Sequence, residues 1–216
     1  MKKIQNVIPG LLLAFLLPLN LIASNDTLSS KIGLSFTSGR QQMFPFNSRD
    51  YSYDTKGIKL IYNYSFGSKK LHFEFQAEPS IYRAEHQLLQ ELFVQPADGP
   101  DFLAKRETFT KLKTFTEITA NIGLIIRYSF TNWWSIYWIG SVGPMYSGIE
   151  TERLASGFAF SDLTGIGASL RVRRFTFDIR PGIRHVSNAD LKQPNSGHNS
   201  TTLDAGVMFE FRPKRK

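Results

Sequence analysis

Residues 58–78 read IKLIYNYSFGSKKLHFEFQAE, two alternating segments joined by a turn. In the first, Ile58, Leu60, Tyr62, Tyr64 and Phe66 share one face of a strand, and Lys59, Asn63 and Ser65 share the other. Beyond Gly67-Ser68-Lys69 the pattern repeats, with Leu71, Phe73, Phe75 and Ala77 set against His72, Glu74, Gln76 and Glu78. A soluble sandwich buries its apolar face. Aromatics outside and carboxylates inside is instead the pattern of a barrel whose outer wall meets lipid.

The same alternation continues outward from this hairpin. Ile118, Ala120, Ile122, Leu124, Ile126 and Tyr128 form one face, against Glu117, Thr119, Asn121 and Arg127. Strands are expected near 30–39, 56–66, 70–82, 114–129, 133–147, 157–171, 174–187 and 201–211. Tight turns at Thr131-Asn132 and at 171–174 alternate with long connections at 39–55 and 83–113. An even strand count with alternating loop lengths predicts an all-β fold, an eight-stranded antiparallel transmembrane β-barrel with extracellular long loops. The last strand carries Leu203, Ala205, Val207, Phe209 and Phe211 on its lipid face, followed by a basic tail, Arg212 to Lys216. Strands five and six fit least well. Tyr137, Ile139 and Met145 fall on the expected lumen face, and Asp162 falls on the face of Phe158 and Phe160, so a bulge or a different register is expected there. Trp133, Trp134 and Trp138 read as an interfacial girdle beside a periplasmic turn, with ligand stacking as the alternative.

Composition narrows the setting. Lys2 and Lys3 precede a short apolar run ending at Ala23 and Ser24, which reads as a secretory signal peptide over residues 1–24, leaving the barrel and its loops as residues 25–216. The formal charge of +8 falls to +6 once Lys2 and Lys3 leave. With no cysteine, disulfides, thiolate catalysis and cysteine zinc sites are excluded. Export and scattered basic residues argue against nucleic acid, and the outer membrane of a Gram-negative bacterium, with its phosphorylated lipid, is the expected location.

The seventh strand carries the chemistry. Phe175, Phe177, Ile179, Pro181 and Ile183 face lipid, while Thr176, Asp178, Arg180 and Arg184 face the lumen. Odd parity then turns His185 and Ser187 outward at the extracellular end. Two residues apart on a strand, an imidazole and a hydroxyl can form a base and nucleophile. Alternatively, they are a rim pair that faces headgroups.

The run Arg184-His185-Val186-Ser187-Asn188-Ala189, followed by Pro194-Asn195-Ser196-Gly197-His198-Asn199, resembles the motif of the lipid A 3-O-deacylase (PagL-type) family, with the likeness concentrated from Ser156 to Phe211. The resemblance implies an eight-stranded outer-membrane barrel that removes an ester-linked acyl chain from lipid A without a cofactor. It implies Ser187 as nucleophile, His185 as general base, and Asn195 and Asn188 as oxyanion-hole residues. Where the best-known pattern has a glutamate, this sequence has Asn199, which becomes the third triad member; Asp190 and Asp204 are the substitutes. An amide orients imidazole but leaves imidazolium unneutralised.

Other signals are weaker. His72, His86 and His198 lack metal-ligand spacing, with His72 expected in the lumen and His198 in an exposed loop. Gly165 and Gly167 suit tight strand packing better than a dinucleotide site. Glu74, Glu78 and Glu117 face Arg127, Arg171, Asp178, Arg180 and Arg184 across the lumen, as structural ion pairs. Residues 85–93 extend the third strand or form a short interfacial helix. Arg40, Arg49, Lys105, Arg106, Lys111, Lys113, Arg153 and Lys192 are loop cations, solvated or paired with lipid phosphates. The expected partners are lipid A or lipopolysaccharide as substrate, with a homodimer left open. The competing functions are a non-catalytic barrel for adhesion or membrane integrity and a phospholipid esterase.

Overall fold

The computed structural model describes residues 29–67 and 70–211; the expected signal peptide, Ser68, Lys69 and the tail 212–216 lie outside the described residues. Eight strands form one closed antiparallel barrel: β1 (Ser29–Arg40), β2 (Tyr51–Phe66), β3 (Leu71–Leu88), β4 (Lys113–Ser129), β5 (Trp134–Ser147), β6 (Gly157–Val172), β7 (Phe175–Ser187) and β8 (His198–Phe211). Each strand pairs with its sequence neighbour, and β1 closes on β8 through a register running from Ser30↔Phe211 to Arg40↔Thr201. Closure removes both sheet edges, the condition for a β-structure to exist in lipid.

The outer wall is apolar along its length: Phe36, Ile58, Phe73, Ile118, Phe158, Phe177 and Leu203 are all exposed. The interior inverts the arrangement of a soluble core. Glu74 accepts hydrogen bonds from Lys31 Nζ at 2.9 Å, from Arg127 Nε and Nη2 at 3.0 Å each, and from Ser65 Oγ at 3.1 Å. Glu78 pairs with Lys59 at 2.9 Å and Arg180 at 2.7 Å, and Asp204 pairs with the same two cations. Glu117 joins Arg184 at 2.9 Å and the Tyr53 hydroxyl at 2.6 Å. The ion-pair reading of the lumen therefore holds for Glu74, Glu78 and Glu117. Arg171 instead reaches Glu210 at 3.0 Å, and Asp178 accepts from Tyr137 and Ser169, each at 2.6 Å.

Strands five and six are regular, against the expectation of a bulge or slip. The β5–β6 register holds from Trp134↔Leu170 to Ser147↔Gly157 without a step. Tyr137 and Ile139 keep lumen parity and build an apolar layer with Ile125 and Leu163, while Met145 packs with Leu154, Ala159 and Val186. Gly167 makes room for this layer, since a Cβ there would lie 2.1 Å from Tyr137 Cζ. The lumen is thus mixed, which is what broke the simple polar-inside pattern.

The strands also run past their expected extracellular ends. β2 and β3 pair as far as Tyr51↔Leu88, five residues beyond the expected start of β2 at 56. The 85–93 segment extends β3 to Leu88 and then makes a short 3-10 turn, Glu91–Phe93. An unforeseen helix, α1 (Phe102–Phe109), follows, with Phe109 packed on Leu88 and Val94 over the barrel mouth. The mouth is closed from within by a ring cluster, in which His198 stacks on Tyr53 at 4.6 Å and meets His86 edge-on at 4.8 Å. His198 is therefore buried, not in an exposed loop, and its Nε2 lies 3.1 Å from Thr151 Oγ1. Trp133, Trp134 and Trp138 are exposed, the first two beside the tight turn that opens β5, where Trp134 stacks on Phe130 at 4.5 Å.

Removing one partner of a buried ion pair costs about 3–5 kcal/mol, because the other charge is left unpaired. Glu74→Ala strands both Lys31 and Arg127 and is expected to destabilise the barrel by about that amount. Urea unfolding in lipid vesicles measures it, and a loss below about 1 kcal/mol would contradict the account of the lumen.

Candidate active site

The end of β7 holds the candidate site because parity is conserved to the strand's last residue. Arg184 and Val186 are buried inward, whereas His185 and Ser187 are half-buried on the outer wall. On one side β8 places Asn199 opposite His185, and on the other β6 places Asp162 opposite His185 and Phe160 opposite Ser187.

The His185 Nδ1 and Asn199 Oδ1 atoms are 2.8 Å apart. An amide oxygen only accepts, so this bond requires the proton on Nδ1 and leaves Nε2 with its lone pair. Asn199 is itself tied to the mouth cluster, its backbone N–H donating to the Tyr51 hydroxyl at 3.3 Å. Ser187 follows His185 by two residues on the same face, and among the described residues no hydrogen bond links the two side chains.

The loop from Asn188 to Gly197 is held by its own side chains. Ala189 and Asp190 take left-handed backbone conformations, at φ 53 and 62. Asn195 accepts the Asn188 backbone N–H at 2.8 Å and donates to Asp190 Oδ1 at 3.0 Å. Asn188, buried, donates its amide to the Lys192 carbonyl at 2.6 Å. The structure therefore brings Asn188 and Asn195 together beside Ser187. Of the two substitutes for the third triad member, Asp204 is committed to Lys59 and Arg180 inside the barrel, and Asp190 to Asn195.

Two residues that had no expected role at the site complete the frame. Gly197 sits at φ +69, and a Cβ there would come within 2.6 Å of the Val186 carbonyl and 3.0 Å of His185 Cε1. Only glycine allows the loop to cross so close to the imidazole. The β5–β6 connection clamps this crossing: Gly197 N–H donates to Arg153 O at 2.9 Å, Arg153 Nε to Gly197 O at 2.8 Å, and Ala155 N–H to Pro194 O at 2.9 Å. The Arg153 guanidinium also lies 4.4 Å from the Tyr51 ring and 5.0 Å from Phe93, so this loop cation is a structural clamp. The left-handed glycine was visible in the motif, whereas nothing local to Arg153 distinguishes it from the other loop cations.

Among the described residues no group of three or more His, Asp or Glu side chains is placed to hold a metal ion. The groups at this site suit acyl transfer, with a hydroxyl, an imidazole presenting a free nitrogen, and clustered amides on a wall that lipid covers.

Comparison with known proteins adds a family and a set of similar barrels. The family model described as lipid A 3-O-deacylase (PagL) matches residues 40–208. Among solved structures, the chain is similar to the outer membrane enzyme PagL, at 16% identity and TM-score 0.48, covering 83% of this chain and 97% of that one. It is also similar to OprG from Pseudomonas aeruginosa, at 10% identity and TM-score 0.45, covering 89% and 100%. Neisserial surface protein A is another such structure, at 12% identity and TM-score 0.43, covering 85% and 97%. No curated protein matches the chain. Matched by that model over most of its length, the chain belongs to the lipid A 3-O-deacylase (PagL) family.

Proposed function

We propose that this barrel is an esterase of the outer membrane of a Gram-negative bacterium, and that it hydrolyses the ester-linked acyl chain at the 3-position of lipid A. Family membership supplies the substrate and reaction class. The observation that carries the residue assignment is the 2.8 Å His185–Asn199 hydrogen bond, with Ser187 on the same lipid-facing wall.

Ser187 Oγ attacks the ester carbonyl while its proton passes to His185 Nε2, the nitrogen left free by the Asn199 bond. The carbonyl electron pair moves onto oxygen, where amide donors stabilise it; one such donor supplies about 3 kcal/mol. Asn195 is the better placed of the two asparagines for this, because it is half-buried at the rim with one amide hydrogen left over from its bond to Asp190, whereas Asn188 is buried. Asn188 holds the loop through Lys192 and Asn195. As the tetrahedral species collapses, His185 returns the proton to the sugar oxygen, and the released sugar carries a free hydroxyl. Water, deprotonated by the same imidazole, then frees the fatty acid from Ser187.

The wall suits a lipid substrate. Below the site the exposed side chains are Ile183, Ile166 and Leu203, so an acyl chain entering from the outer leaflet stays in an apolar setting while its ester reaches the rim.

In a Gram-negative host, wild-type protein is expected to lower the mass of lipid A by one hydroxyacyl unit, and Ser187→Ala to leave it unchanged. Identical spectra with both proteins folded in the outer membrane would favour a non-catalytic barrel, and loss of a phospholipid acyl chain instead would favour a phospholipid esterase. Asn199→Ala, which removes the acceptor that sets the imidazole tautomer, is expected to cut turnover by about 10²-fold or more in a mixed-micelle lipid A assay. Gly197→Ala is expected to lower turnover at least about tenfold while the barrel still folds, because the added methyl displaces the loop or the imidazole. Wild-type rates for that variant would refute the close-approach argument.

A further inference from the structure

Asp162 stands on the lipid-facing wall of β6, where an ionisable side chain is expensive and calls for a role. Its neighbours on that wall are Phe160 and Thr164 along its own strand, Val142 opposite it on β5, and His185 opposite it on β7. None of these but His185 can carry a charge, so His185, when protonated, is the group that acts on it electrostatically. Among the described residues the carboxylate has no hydrogen-bond partner. It is therefore neither an anchor for the sheet nor part of the lumen network, which lies on the opposite face of the strands.

The imidazole is thus flanked asymmetrically. On the β8 side Asn199 supplies the hydrogen bond to Nδ1, and being neutral it cannot offset the charge that His185 acquires when it takes the Ser187 proton. On the β6 side Asp162 supplies a negative charge without a hydrogen bond. Orientation and charge compensation, which a single triad carboxylate ordinarily combines, are here divided between two strands. A wall that lipid covers makes the second contribution worth more, since the effective dielectric is low.

We propose that Asp162 is a positioning residue of the active site, an unbonded carboxylate that stabilises the His185 imidazolium formed during acyl transfer in place of the charge that Asn199 lacks. The assignment rests on the esterase reading above. In the step concerned, the Ser187 O–H bond breaks, the proton joins His185 Nε2 and the Ser187 oxygen bonds to the ester carbon. The imidazolium lasts until the proton leaves with the sugar oxygen, and Asp162 acts only over that interval.

A double-mutant cycle tests it with purified protein and lipid A in mixed micelles, scoring release of the 3-hydroxy fatty acid. Asp162→Asn keeps the shape and removes the charge; kcat is expected to fall about 10- to 100-fold with KM within about twofold. Asp162→Glu is expected to retain most of the activity. In an Asn199→Glu background, where the bonded partner already carries the charge, Asp162→Asn is expected to cost less than about threefold. Heat-dependent electrophoretic mobility checks that each barrel is folded. The proposal is overturned if Asp162→Asn leaves kcat within about twofold of wild type, or if its fold-loss is the same in both backgrounds. Failure of the esterase reading looks different, because the wild type itself then releases no fatty acid.

Discussion

Inside a bilayer no water is present to satisfy a backbone N–H or carbonyl, so a sheet that crosses it must close on itself. Here that closure is the pairing of β1 with β8, and the rest of the structure depends on it. Once the ring is shut, every strand has two neighbours and a fixed register, and side chains alternate between lumen and lipid with no freedom to slip. The β6–β7 register is the same from Val172↔Phe175 to Phe160↔Ser187, with pairing lapsing only at 166–167 opposite 180–181, and the β7–β8 register is continuous from Phe175↔Phe209 to Val186↔His198. The wall position of His185 and Ser187 is thus set by the same constraint that places Phe177 and Ile179 against lipid.

Closure also decides where the polar chemistry goes. The narrow lumen excludes lipid, so it can hold Lys59, Arg180, Glu78 and Asp204 in mutual contact, each charge offset by another. On the wall no such crowd of partners exists, and a polar group there has only its cross-strand neighbours. That difference separates Asp204 from Asp162. Both lie on strands that flank β7, yet the first is bonded to two cations and the second to no side chain among the described residues.

Strand number, the lipid and lumen faces and the outward direction of His185 and Ser187 were legible because a period of two is a one-dimensional signal that the amino-acid order carries directly. The eight predicted strands all appear, and Asp162 keeps the lipid-facing parity that had suggested a bulge or a slipped register. What was illegible depends on contacts across the barrel. Tyr137 and Ile139 looked like errors of register because the expected lumen was wholly polar, whereas a layer of four apolar side chains fills it beside Gly167. The burial of His198 needs Tyr53 and His86, which arrive from β2 and β3. Arg153 is one loop cation among eight until the folded loops bring it over Tyr51 and onto Gly197.

On the proposed esterase reading, an amide at Asn199 in the place of a triad carboxylate has a physical rationale. A carboxylate bonded to Nδ1 at this rim would be desolvated on the lipid side throughout the resting state, at a cost to the stability of this end of the sheet. An amide makes the same hydrogen bond at a far smaller desolvation cost, and it enforces the same tautomer. Its deficiency appears only when imidazole becomes imidazolium, an interval in which a nearby charge matters more than a bond. On the reading proposed above, a carboxylate one strand away on the same wall, not bonded to the ring, meets that need through space. On that proposal the site trades a strong resting contact for compensation delivered when charge develops, which is the condition under which an interaction lowers the barrier more than it stabilises the ground state.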